Sequence, residues 1–243
     1  MKLIALALCL AAGSAVIDDK PPTPKAPAPL VTGKVLFDGK RPEPTKLPAT
    51  PEQAKGCCPE GQSVDATDPR LVIDDKNGIA NVLVTIQVDA VKAVPSKTAI
   101  VVDQKSCVFE PHCTIVPAGS KVVFKNSDTV NHNVHIYARR NDSSNDTMAP
   151  GTQKEYVFEN TDKITVGCDY HPWMSSLLLV VDTPYAALTK SDGSFKIEGL
   201  KPGTYKVKLW HETLGRAEAE AVIQADGTSA PLTVKLSEPK KKD

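Results

Sequence analysis

Gly167-Cys168-Asp169-Tyr170-His171-Pro172-Trp173-Met174 decides how the rest of the chain is read. A thiol, an imidazole and a thioether fall in one short loop, at spacing C-x2-H-x2-M. A thiolate and two imidazoles, with a weak axial thioether, form the ligand set of a blue-copper electron-transfer site. Soft sulfur favours Cu(I) and imidazole suits both oxidation states, so the set compromises between them. A second imidazole must come from elsewhere, and Asn131-His132-Asn133-Val134-His135 supplies it upstream.

The candidate ligands for one type 1 copper ion are therefore His132, Cys168, His171 and Met174. Asn133 is placed to brace the ligand loop by a hydrogen bond. Pro172 and Trp173 stiffen and dehydrate that loop. Methionine also fills gaps in cores, which is the other reading of Met174. In an alternating strand His135 shares the face of Asn133 rather than that of His132, and reads as a bystander. His112 and His211 read as structural; a second metal site built from His112, His135 and His211 is the competing role.

Outward from the loop, the chain reads as short strands. Between Ala99 and Thr183 lie seven apolar runs: Ala99–Val102, Cys113–Val116, Lys121–Phe124, Asn133–Tyr137, Tyr156–Phe158, Ile164–Val166 and Leu177–Val181. That spacing predicts a Greek-key sandwich, whose loops cluster at its ends and bring His132 to the Cys168 loop. The polar stretch Arg139–Thr152 reads as a long irregular loop. Val31–Phe37, Leu71–Ile73 and Val82–Ile86 read as strands of an N-terminal β-region, interrupted by a Pro-rich excursion from Arg41 to Arg70. Past Pro184, the turn at Ser191-Asp192-Gly193 and the runs Lys206–Trp210, Arg216–Ile223 and Leu232–Leu236 read as a small sandwich.

The N-terminus carries Lys2, an apolar run Leu3–Ala12 too short to span a bilayer, and the small residues Gly13-Ser14-Ala15. It reads as a secretory signal, so the protein is expected to be exported, to the periplasm or the extracellular space, with no transmembrane segment. The expected divisions are 1–15 signal peptide, 16–30 Pro-rich linker, 31–98 N-terminal β-region, 99–183 copper domain, 184–237 β-sandwich and 238–243 charged tail. Export lets thiols pair. Five cysteines follow the signal, and Cys168 is the odd one, reserved for metal. Adjacent cysteines seldom bond each other, so Cys57 and Cys58 are expected to reach Cys107 and Cys113. A local Cys107–Cys113 bond, or free thiols, are the alternatives.

The loop Cys168–Met174 resembles the ligand loop of small cupredoxins, and its spacing is most similar to that of amicyanin. His132-Asn133-Val134 resembles the upstream element of the plastocyanin and amicyanin group. Asp103–Cys107, Glu110-Pro111-His112, Asn126-Ser127-Asp128 and Trp210-His211-Glu212 resemble exported bacterial cupredoxin-like proteins of the "methylamine utilisation" type. Asp192–Phe195 and Pro202–Tyr205 resemble a carboxypeptidase regulatory-like sandwich. Cys113 departs from the pattern, where an apolar strand residue is expected. The resemblance implies an all-β fold, a Greek-key cupredoxin sandwich flanked by small β-sandwich modules. It also implies an electron carrier with His171 near the surface as the electron port, serving a cytochrome or a periplasmic dehydrogenase.

Composition bounds the other classes. Lysine plus arginine and aspartate plus glutamate both number 29, which favours no nucleic-acid partner. Laccase-type chemistry needs a cluster of His-x-His pairs, and the chain has five histidines with no such pair. An enzyme is therefore not expected. Three methionines argue against a labile copper-handling site. A carbohydrate-binding or structural β-protein is the remaining alternative, with Trp210, Tyr185 and Tyr205 as the only aromatic candidates.

Overall fold

The computed structural model describes residues 29–58 and 63–239. The expected signal peptide and nearly all of the Pro-rich linker lie outside the described residues. The protein is all-β. Among the described residues, sixteen strands form four sheets, packed as two sandwiches, with one helical turn beside them.

The central sandwich carries the ligand loop. One sheet has the order β5-β11-β10-β7-β8: β5 (Cys113–Pro117), β11 (Ser175–Val181), β10 (Asp162–Gly167), β7 (His132–Tyr137) and β8 (Ser144–Met148). The other has the order β4-β3-β6-β9: β4 (Val108–Glu110), β3 (Ile100–Lys105), β6 (Lys121–Asn126) and β9 (Gln153–Val157). The pairs β3–β6 and β5–β11 are parallel, which requires crossovers rather than hairpins. Val102, Phe124, Val134, Ile136, Ile164 and Leu178 fill the space between the sheets.

The strand β8 lies inside the stretch read as irregular. It pairs with β7 from His132–Met148 to Ile136–Ser144. It is an edge strand, and of its five residues only Met148 is buried, so its Ser-Asn-Asp-Thr composition hides it. Conversely, Leu71–Ile73 forms only a single bridge, Ile73 to Ile79, rather than a strand.

The second sandwich is built from both ends of the chain. One sheet has β1 (Leu30–Phe37) between β13 (Ser194–Glu198) and β16 (Leu232–Leu236). The other has the order β12-β2-β14-β15: β12 (Ala186–Leu188), β2 (Leu83–Ile86), β14 (Gly203–His211) and β15 (Gly215–Ile223). The segments 31–98 and 184–237, read from the sequence as two regions, thus share both sheets and one core of Val31, Val35, Ile79, Val84, Val207 and Leu209. Gly78 and Gly193 make this interleaving close. A Cβ on Gly193 would stand 2.4 Å from the Val35 carbonyl oxygen and 2.9 Å from Gly78 Cα.

The two sandwiches meet through β11. Its run Ser176–Val181 is buried throughout, on both faces. Leu178 and Val180 enter the central core, while Leu177, Leu179 and Val181 pack with Leu83 and Cys113 in a third cluster. Two-sided burial is what an unbroken apolar run predicts.

The Pro-rich excursion lies against the metal-loop end of the central sandwich. It contains α1 (Pro51–Ala54), started by Thr50 and Gln53 in a reciprocal capping box. Leu47, Ala54, Cys57, Cys58, Val64 and Ala66 pack on the central core. Gly56, at φ +83°, brings its Cα so close to Val130 that a Cβ would clash at 2.7 Å. One disulfide fixes the excursion, Cys57–Cys107. The second expected staple is not formed: Cys58 and Cys113 are free thiols. Cys113 sits at the start of β5 and is buried at the junction with the second sandwich, and Cys58 packs against the central core.

Candidate metal centre

The topology sets β7 beside β10, so the first residue of β7 and the loop leaving β10 share one end of the sheet. Three donor atoms converge there. His132 Nδ1 and His171 Nδ1 are 3.0 Å apart. Cys168 Sγ lies 3.4 Å from His171 Nδ1 and 3.9 Å from His132 Nδ1. All three residues are buried.

Each donor is held from behind. His132 Nε2 donates to Asp128 Oδ2 at 2.8 Å, which leaves Nδ1 as the free lone pair. Asp128 is itself fixed by a turn. Ser106 and Cys107 both adopt left-handed backbone (φ +54° and +52°), and their N–H groups donate to the two Asp128 oxygens at 2.6 and 2.8 Å. The ligand loop closes on itself through Met174 N–H to the His171 carbonyl (2.9 Å) and Cys168 N–H to the Met174 carbonyl (3.3 Å). Asn133 ties this loop to β7: its Oδ1 accepts from Asp169 N–H at 2.6 Å and its Nδ2 donates to Asp169 Oδ2 at 2.8 Å. Trp173 Nε1 donates to the Cys107 carbonyl at 2.9 Å, and its ring meets His171 edge-on.

These bonds decide the charges. Burial alone would raise the Cys168 thiol, but the imidazoles of His132 and His171 and backbone N–H groups of the loop outweigh it and bring it down to about 6. Burial alone would lower His132; Asp128 and Cys168 together raise it instead. The centre is thus a thiolate facing two imidazole nitrogens. Metal–imidazole bonds are about 2.0–2.1 Å and metal–thiolate bonds about 2.3 Å, so the three separations have room for one ion between the donors. Two lone-pair nitrogens 3.0 Å apart repel unless a proton or a cation lies between them. The donor set therefore fits a soft or borderline metal.

His132, Cys168 and His171 come together, and Met174 is buried in the same loop. His135 does not join them: its Nδ1 faces Asp169 Oδ1 at 2.9 Å and the Tyr137 hydroxyl at 2.8 Å. His112, His135 and His211 do not form a site together. His112 faces Glu212, and His211 accepts from the N–H groups of Thr213 and Leu214. His171 keeps 5% exposure beside the half-exposed Tyr170, and Cys107 Sγ stands 3.9 Å from its Nε2. The disulfide and the Trp173 ring both lie against His171. Asp128 was missed as a functional residue; its signal, an acid four residues before the candidate His132, is weak in isolation.

No protein-family model matches the chain, and no curated protein matches it. Among solved structures it is similar to a Cu-containing nitrite reductase from Thermus scotoductus SA-01, at 18% identity over 40% of this chain and TM-score 0.33; the match spans 25% of that reductase. It is similar to a purple cupredoxin from Nitrosopumilus maritimus, at 22% identity over 33% of this chain and 98% of that one, TM-score 0.30. It is also similar to a mutant of amicyanin in the Cu(I) form, at 22% identity over 40% of this chain and 97% of that one, TM-score 0.32.

Proposed function

We propose that the protein is an exported type 1 copper protein, a one-electron carrier rather than a catalyst. The observation that carries this reading is the convergence of Cys168 Sγ with the Nδ1 atoms of His132 and His171 inside a buried, braced pocket. His132, Cys168, His171 and Met174 would hold the ion. Copper bound there supplies a Cu(I)/Cu(II) couple. Asp128 keeps the proton on His132 Nε2 and so keeps Nδ1 free for the ion. Asn133 prevents the loop from relaxing when the charge changes. Trp173, Met174 and the disulfide are buried and would limit the access of water to the ion.

Export is supported by the Cys57–Cys107 disulfide, since such bonds persist in oxidising compartments. No helix among the described residues is long and apolar enough to cross a membrane. The redox partner, a cytochrome or a periplasmic dehydrogenase in this reading, would approach the ligand loop at Tyr170, which is half exposed beside the buried His171.

The test is the visible spectrum after Cu(II) loading, beside a Cys168→Ser control. The expected result is an intense blue thiolate-to-copper band, bleached by ascorbate and lost in the control. A pale band, or one unchanged in Cys168→Ser, removes the electron-carrier reading.

A further inference from the structure

A second group of donor atoms lies at the junction of the two sandwiches, away from the centre described above. His112 Nδ1 is 3.0 Å from the Ser175 carbonyl oxygen, which can only accept, so Nδ1 carries a proton and donates. His112 Nε2 is 2.6 Å from Glu212 Oε1. An imidazole lone pair does not approach a carboxylate oxygen this closely unaided; a proton or a cation must lie between them. Cys113 Sγ completes the group: one donor atom from each of the three residues lies within 4.8 Å of the other two. It is a free thiol and buried.

We propose that His112, Cys113 and Glu212 form a site for a divalent cation of the zinc class, joining the central sandwich to the second one. A neutral imidazole, a thiolate and a carboxylate are the mixed N, S and O donors that zinc accepts. The Nδ1–H bond to Ser175 is the backing interaction that metal-bound histidines need, since it fixes the ring and turns Nε2 inward. The charges balance. Without metal, the group holds one proton shared by His112 and Glu212 and one on Cys113. When M²⁺ enters, both protons leave, and the net charge of this largely buried group does not change. The side chains of His112 and Glu212 keep 10% and 18% exposure, so solvent can take a fourth position.

The neighbouring groups do not compete. Arg70 is engaged by Asp68, with Nε to Oδ1 at 2.8 Å and Nη2 to Oδ2 at 2.5 Å. His211 already uses Nδ1 to accept two backbone N–H groups. Glu212 is a hundred residues from His112 in the chain, so an ion here would tie together segments that the sequence keeps far apart.

Co(II), a spectroscopic stand-in for zinc, is titrated into the metal-free protein carrying Cys168→Ser, which lacks the thiolate of the first centre. A sulfur-to-cobalt band saturating at one equivalent, displaced by Zn(II), is expected. It should vanish when Cys113→Val is added, and the apparent affinity should fall at least tenfold with Glu212→Gln. Absence of the band, or its persistence with Cys113→Val, overturns the proposal. Should Cys168→Ser fail to fold, native mass spectrometry of the copper-loaded wild type in Zn(II) replaces it. One added zinc, missing in Cys113→Val, is expected, and no added zinc overturns the site. The cobalt result does not depend on whether the first centre is a blue-copper site.

Discussion

Two groups in this molecule each contain one free buried cysteine and at least one histidine, and they treat the thiol in opposite ways. Cys168 faces two imidazole nitrogens and accepts from backbone N–H groups, and these bring its thiol down to about 6. Cys113 is equally buried, but it faces the carboxylate of Glu212, and desolvation plus that charge push the thiol far up. Burial is common to both and so cannot decide a cysteine's role. What decides is whether the surrounding groups donate hydrogen bonds or carry negative charge. Under the two proposals, one group would be organised in advance for a metal; the other would have to shed protons to accept one.

The sharpest way to break this comparison is alkylation of the metal-free folded protein, read peptide by peptide. Cys168 should react in a pH-dependent way, rising through about 6 and level above it. Cys113 should stay unreactive at neutral pH until the protein unfolds, and so react far more slowly than Cys168. Equal rates would end the distinction. Next in size is the disulfide. Cys57→Ser with Cys107→Ser opens a link spanning 50 residues. Chemical denaturation should then show a loss of about 4 kcal/mol. The same variant should bleach faster with a small reductant after copper loading, because the disulfide no longer lies against His171.

A third prediction tests the junction side. His211 is buried and neutral, lowered to about 4 from 6.5 by desolvation first and by His112 as well. Its folded value lies below its unfolded one, so between those values the unfolded chain binds more protons. The stability from this group is present in full above pH 6.5 and is lost as pH falls toward 4, by roughly 3 kcal/mol. His211→Gln should flatten that part of the acid denaturation curve. The smallest effect expected is that of Asn133→Ala. It removes the bonds to Asp169 and should cost about 2 kcal/mol, together with a broader, weaker copper band.

The residues of the candidate centre are easier to pick out in the sequence than the architecture around them. The ligand loop is legible because Cys168, His171 and Met174 are local to one another, and His132 stands at the start of a strand with a strong β pattern. The run Leu177–Val181 is legible for the same reason, as unbroken apolar residues. What stays hidden depends on distant partners. Nothing near Val31–Phe37 shows that it pairs with Leu232–Leu236 at the other end of the chain. The polar β8 lacks an apolar rhythm because it is an edge. Cys57 and Cys58 look equivalent in sequence, and only the position of the Ser106–Cys107 turn selects Cys57. That turn also places Asp128 behind His132, a pairing that no spacing rule reveals.

The disulfide beside His171 bears on how the centre is filled. Before Cys57 and Cys107 join, two further thiols would stand beside His171. Once they join, neither sulfur is a free thiol. Under the copper reading, the order of events during maturation, metal first or bond first, therefore decides whether those thiols compete for the ion.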